Sequence, residues 1–242
     1  MFFGSHVAMG LEPVRARLGP RLHVFAYGLV AWVTFTALCA VYASLRFTGA
    51  PGPSLATHPV RPVLFACSVV GVVFMVVGAI GYPRAPMRVL QTRTSEPAGV
   101  QRITRHAIFV GLVLWGGAHA LLSTHLTGTV FFGGLGLQAG LGAWLQDRKL
   151  LARRGEPYRA LCAATSTVPF VAVLQGRQRL VLRELPLLGL GVAFGLLAAW
   201  ALRLLHPDLF AWHGLGLALF VIVGSSLISI GALWPDERRP DS

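Results

Sequence analysis

Apolar residues in this chain come in long unbroken runs and not in alternation. Six runs stand out, at roughly 23–45, 62–82, 106–126, 127–145, 185–204 and 213–234. Each is close to the roughly 20 residues a helix needs to cross a ~30 Å hydrocarbon core. None shows the period-two pattern of a barrel strand, so the pattern predicts helices. The expected fold is all-α, a polytopic bundle of six full transmembrane helices. Ahead of them stands MFFGSHVAMG, apolar but only half a span long. It lacks the charged n-region and small-residue cleavage site of a signal peptide. Two readings stand for this stub, an interfacial segment or the end of a first helix shortened by a misplaced start codon; the second is favoured.

The polar stretches between the runs punctuate the chain. FTGAPGPSLATHPVRP is too rich in Gly and Pro for regular structure. THLTG has no formal charge, so the third and fourth spans should form a tight helical hairpin. In the fourth span Gly136 and Gly140 make a GxxxG step, which lets helix backbones approach in lipid. QDRKLLARR reads as a helix leaving the membrane, ended by Gly155 and Pro157. TSTVPFVAVL is too short to span and too apolar for a free loop, so it should lie at the membrane surface.

Composition agrees with a bilayer. Hydrophobic residues make up 55% of the 242 and charged ones 12%, against about 25% charged in soluble domains. The net charge of +12 raises the question of nucleic acid, and its placement answers it. Of 21 Lys and Arg, only Arg46, Arg61 and Arg203 fall in the segments 46–61 and 203–212. The rest cluster in 11–22, 83–105, 146–184 and the tail after Trp234. The two sets alternate as six spans require, and the positive-inside rule puts the Arg-rich set and both termini in the cytoplasm. The charge is thus a matter of topology and anionic lipid, with no stacking or groove-reading motif to suggest nucleic acid. Cys39, Cys67 and Cys162 form no CxxC pair or metal spacing.

Candidate chemistry rests on histidines. An ionisable group inside a membrane marks a functional site by default, and His119 lies 14 residues beyond Arg105, about 21 Å along a helix. Gly116 and Gly117 clear space beside it. Its imidazole can ligate iron, shuttle a proton or simply bond a neighbouring helix. His106 follows Arg105 at the cytoplasmic edge, where anchoring is the plain reading. His6 sits unexplained in the stub, and His206 and His213, in or next to the loop LHPDLFAWH, read as solvated. Asp147 beside Arg148 and Lys149 reads as a paired helix-end charge. HExxH, GxSxG, P-loop and GxGxxG motifs are absent.

SHVAMGLEPVRARLGPRLHVFAYGLVA, RITRHAIFVGLVLWGGAHALL, FFGGLGLQAGLGAWLQDRKLLARRGEPYRALCAATSTVPFVAVLQGR and LHPDLFAW together resemble the NnrU-like membrane proteins. The likeness covers most of residues 5–212. It implies an integral membrane domain at 1–212, with 146–184 as its cytoplasmic Arg-rich segment, and an added helix and polar tail at 213–242. It also implies a multi-pass protein of the bacterial inner membrane. Bacterial members are associated with denitrification and nitric-oxide metabolism. A plant member is a haem-dependent isomerase acting on a carotenoid double bond, whose two histidine ligands match His6 and His119. The resemblance thus implies haem b, an apolar polyene or other lipophilic substrate, and Arg105 and His106 as secondary candidates. A cysteine that serves the plant member as an alternative ligand corresponds to Gly116. The usual RHP reads Arg105-His106-Ala107 here, and the family's full first helix is the short stub. Bis-histidine ligation needs a tilted stub, or a helix starting well outside the membrane, to bring His6 level with His119. The rival from another class is a non-catalytic factor in nitric-oxide metabolism. A more distant similarity, to the isoprenylcysteine carboxyl methyltransferases, rests on Arg105-His106, Gly155-x-x-Tyr158 and Val168-Pro169-Phe170, but Gln146 and Asp147 stand where paired glutamates belong.

Overall fold

The computed structural model describes residues 2–82, 85 and 96–206, and beyond these only 216, 219 and 223. The expected span at 213–234 and the polar tail therefore lie outside the described residues. Within them the chain is all-helical with no strand. In order come α1 (Phe2–Met9), α2 (Glu12–Leu18), α3 (Pro20–Leu45), α4 (Arg61–Ile80), α5 (Ala107–Leu122), α6 (Leu126–Arg154), α7 (Glu156–Ala164), α8 (Val171–Leu174) and α9 (Leu185–Leu205). Short 3₁₀ turns lie at Gly99–Arg102 and Leu182–Glu184.

Three helices are long and apolar enough to cross a membrane, at Leu22–Leu45, Arg61–Ile80 and Leu182–Leu205, and Ala107–Leu122 is a shorter apolar helix. Their outward faces carry large apolar side chains such as Phe25 (68% exposed) and Trp200 (59%), a surface suited to lipid and costly in water. α6 continues for 29 residues, joining the fourth apolar run and the QDRKLLARR segment in one helix. It stops at Gly155, whose φ of +57° a side chain would resist.

The body is α4, α5 and α6 packed in sequence, with α9 against α4. Glycines set the spacing. A Cβ on Gly71 would meet the Gly111 carbonyl oxygen at 2.7 Å, and one on Gly116 would meet that of Phe132 at 2.7 Å and Gly136 N at 3.0 Å. Gly136 thus serves helix packing. On the other side, α1 folds back on α3, placing Phe2 against Phe35 and His6 against Tyr27.

The third apolar run is shorter than its hydropathy predicts. α5 ends at Leu122, not near 126, because Ser123 and the residues after it leave the helix to pair with residues 50–54. Gly52 N donates to Thr124 O (2.9 Å), Ser54 N to Ser123 O (3.0 Å) and Leu126 N to Ala50 O (2.8 Å). His119 therefore stands in the last turn of its helix.

Candidate functional site

The four site candidates separate into two clusters at opposite ends of α5. His6 and His119 line one large apolar cavity of about 2360 Å³, bounded by α1, α3, α4, α5, α6 and α9. That is more than twice the roughly 1,000 Å³ at the upper end of ordinary ligand sites. His119 Nδ1 lies 2.8 Å from the Trp115 carbonyl oxygen. A carbonyl can only accept, so in the neutral ring Nδ1 carries the proton and Nε2 keeps the lone pair. This is how metal-binding histidines are usually oriented. The ring packs on Trp115 (4.6 Å between centres) and Phe132 (5.0 Å), and faces His206 at 6.5 Å.

His6 is anchored through Nε2 to Tyr27 Oη at 2.5 Å, while its buried Nδ1 has no partner. An orphaned nitrogen beside an apolar cavity is the kind of atom a ligand satisfies. The two rings do not touch, since His6 packs on Phe2 and Tyr27. They are nevertheless closer in level than the stub's position in the chain implied. Phe3 reaches Gly134 on α6, two residues from the Phe132 that touches His119. His6 lies three residues, about 4.5 Å of helix, from Phe3. The donor set fits a haem in kind, with one imidazole nitrogen uncommitted on each ring. Among the described residues no group of three His, Cys, Asp or Glu could hold a bare metal ion.

Arg105 and His106 belong to the other cluster, at the arginine-rich end. Their common partner is Asp147, 42 and 41 residues away. Arg105 Nη2 donates to Oδ2 (2.6 Å), His106 Nε2 to Oδ1 (2.7 Å) and Tyr158 Oη to Oδ1 (2.6 Å). Tyr158 is fully buried and His106 1% exposed. Asp147 was expected to pair with Arg148 and Lys149, and here the structure differs. Arg148 lies over the Trp144 ring at 4.8 Å, and Lys149 Nζ donates to Gly10 O at 2.6 Å. Residues along one helix diverge by 100° each, so Asp147 faces α5 and α7 and its sequence neighbours do not.

Burial alone would raise the Asp147 carboxyl. The hydrogen bonds from His106 and Arg105, with the nearby His106 charge and the Tyr158 hydroxyl, outweigh it and hold the group well below the usual carboxylate range. Tyr158 is driven the other way, first by burial and then by its bond to the carboxylate. Arg105 loses to burial and gains more from Asp147, so it is held above its ordinary value.

The segment after α7 is tied to the same place. Arg105 N donates to Ser166 O (3.0 Å), Phe170 N to Ile103 O (2.9 Å), and Thr104 Oγ1 to Thr167 O (2.6 Å). Phe170 sits at φ +65°, a left-handed conformation costly for a side-chain-bearing residue. Beyond it Leu174 (84% exposed) and Leu182 (81%) form an apolar rim, as a segment lying along a lipid surface requires.

Sequence reading missed two participants. Tyr158 and Asp147 had no local signal for their pairing. His206, read as solvated, is exposed at the end of α9, and its ring also stands 6.5 Å from that of His119, a relation set by how α9 packs.

Segments of 82 and 80 residues are 43% and 39% identical to the chloroplastic 15-cis-zeta-carotene isomerases of Zea mays and Arabidopsis thaliana. Those segments cover 34% and 33% of this chain, and 22% of each plant protein. No solved structure matches. The profile of the NnrU protein family matches residues 1–213, nearly the whole chain. The chain belongs to the NnrU family.

Proposed function

We propose that this protein is a membrane-embedded isomerase acting on a cis double bond of a long, carotenoid-like polyene, with haem b as its cofactor. The observation that carries the reading is the apolar cavity walled by Trp115, Phe132 and Phe35, with the lone-pair nitrogen of His119 at its edge. The plant relatives' names supply the reaction class. A haem iron bound there supplies a redox-active metal centre able to interact with the π system and lower the barrier to rotation about one bond. His119 ligates through Nε2, oriented by the Trp115 carbonyl, and His6 is the second imidazole that the resemblance implies. The aromatic walls exclude water and hold the chain of the polyene by dispersion.

Six spans in a bacterial inner membrane, with the arginine-rich end and both termini in the cytoplasm, complete the proposal, and the positive-inside distribution supports it. The methyltransferase-like alternative has less to work with. Asp147, at the place of the paired glutamates, is already held by three side chains.

The test is the visible spectrum of the detergent-purified protein, expressed with haem supplied, oxidised and dithionite-reduced, beside a His119→Ala variant. A sharp reduced α-band of low-spin haem b, abolished in the variant, supports the cofactor. Isomerisation of a cis-polyene by the haem-loaded protein then supports the activity. Haem without isomerisation favours the non-catalytic factor in nitric-oxide metabolism, and a colourless wild type overturns the haem reading.

A further inference from the structure

α1 lies against α3 along a seam of matched pairs. Phe2 packs on Phe35, Ser5 Oγ donates to Thr34 Oγ1 at 3.4 Å, His6 meets Tyr27, and His23 Nε2 donates to Met9 O at 2.7 Å. The order runs forward on α1 and backward on α3, so the two helices are antiparallel and in one register. Residues three or four apart share a helix face, which sets His6 and Met9 against Tyr27 and His23. A stub of eight residues is too short to fix its own depth in a bilayer. The seam with α3 fixes it instead.

Within the seam the His6 ring is clamped. Its centre is 5.4 Å from that of Phe2 and 4.8 Å from that of Tyr27, and Nε2 lies 2.5 Å from Tyr27 Oη. The buried Nδ1 is left over, and His6 and Tyr27 both line the large cavity. Among the described residues Tyr27 Oη bonds only His6, so turning Nε2 elsewhere would strand a hydroxyl in an apolar wall. A neutral imidazole binds a metal through either nitrogen, and the hydrogen bond at the other selects which. With an acceptor on Nε2–H, the lone pair falls on Nδ1.

We propose that Tyr27 is the positioning residue of His6, accepting a hydrogen bond from Nε2–H and so presenting Nδ1 as the nitrogen available to the haem iron. The inference rests on the haem reading above and keeps its ligand pair. An acceptor on the far nitrogen makes an imidazole a more basic ligand, and a more basic ligand favours ferric over ferrous iron.

Full-length wild type, Tyr27→Phe, His6→Ala and the double variant are purified without haem, titrated with haem, and then titrated with reductant. Tyr27→Phe keeps the ring and its packing and removes only the hydroxyl. The expected result is a haem affinity lower by about 10–100-fold, the range for losing such an outer partner, with a raised reduction potential. His6→Ala should lose the low-spin spectrum, and in that background Tyr27→Phe should change neither affinity nor potential. Unchanged or tighter binding by Tyr27→Phe overturns the proposal, tighter binding meaning that Nε2 leaves Tyr27 for the iron. An equal shift in the His6→Ala background also overturns it, since Tyr27 would then act through the fold. A low-spin spectrum surviving His6→Ala overturns it while leaving the haem reading standing. A wild type that binds no haem overturns the reading beneath it.

Discussion

The two ends of α5 use histidine in opposite ways. At the N-terminal end His106 is spent on structure, its Nε2 committed to Asp147 alongside Arg105 and Tyr158. A void of about 20 Å³, the size of a single water, lies against Arg105. At the C-terminal end His119 bonds only its own helix and turns toward a cavity a hundredfold larger. Buried polarity is common to both, so it does not by itself mark a reaction site. Availability does: an oriented lone pair beside unfilled volume. The first cluster ties α5, α6 and α7 together.

The sharpest way to break the comparison is to remove the carboxylate. Asp147 and Arg105 are 14% and 13% exposed, so Asp147→Ala leaves a nearly buried guanidinium, an imidazole and a phenol without their acceptor. Breaking a buried ion pair from one side costs about 3–5 kcal/mol. The expected outcome is a large fall in the thermal midpoint in detergent, with haem affinity lost only as the fold is lost. An unchanged midpoint would show that the cluster does not hold the helix ends.

Acid acts on the same group less abruptly. The folded Asp147 is held below the unfolded aspartate value of about 3.9, so its contribution is fully present above that value. It is lost as pH falls through the lower, folded value. Midpoints measured against pH should therefore show no loss from this carboxylate between pH 7 and about 5, and a fall beginning below about 4. Asp147→Asn, less stable at neutral pH, should lack that component of the fall.

How much of this was legible in the sequence depends on range. α3, α4 and α9 follow from the apolar runs at 23–45, 62–82 and 185–204, because lipid-facing helices write their length directly into hydropathy. The helix stop at Gly155 was equally local. The end of α5 was not, because the backbone of Ser123 and Thr124 is claimed by residues 52–54 of a distant loop. Asp147 was misread for the same reason: its adjacent cations looked sufficient, while its actual partners come from α5 and α7. His6 and His119 were visible as rings in apolar surroundings. That His206 faces His119 is a fact of α9 packing, which no spacing along the chain encodes.

A finer cut at the closed cluster is Tyr158→Phe, which removes one hydrogen bond to a charged acceptor and leaves the ring packed against Leu150 and Leu161. Bonds to charged groups are worth about 1.5–3 kcal/mol, and Asp147 keeps its other two donors. The midpoint should drop by less than in Asp147→Ala, with the haem spectrum intact.

His119→Ala completes the contrast from the open side. It removes ring contacts with Trp115 and Phe132 that are worth about 0.5–1.5 kcal/mol each. The space left merges with a cavity that already exists, so no new enclosed void is created. Measured on haem-free protein, its stability should fall by less than that of Asp147→Ala, by about 1–3 kcal/mol for the two ring contacts, while haem binding disappears. Were the apoprotein destabilised as strongly as Asp147→Ala, His119 would be a structural residue like His106, and the difference between the two ends of α5 would collapse.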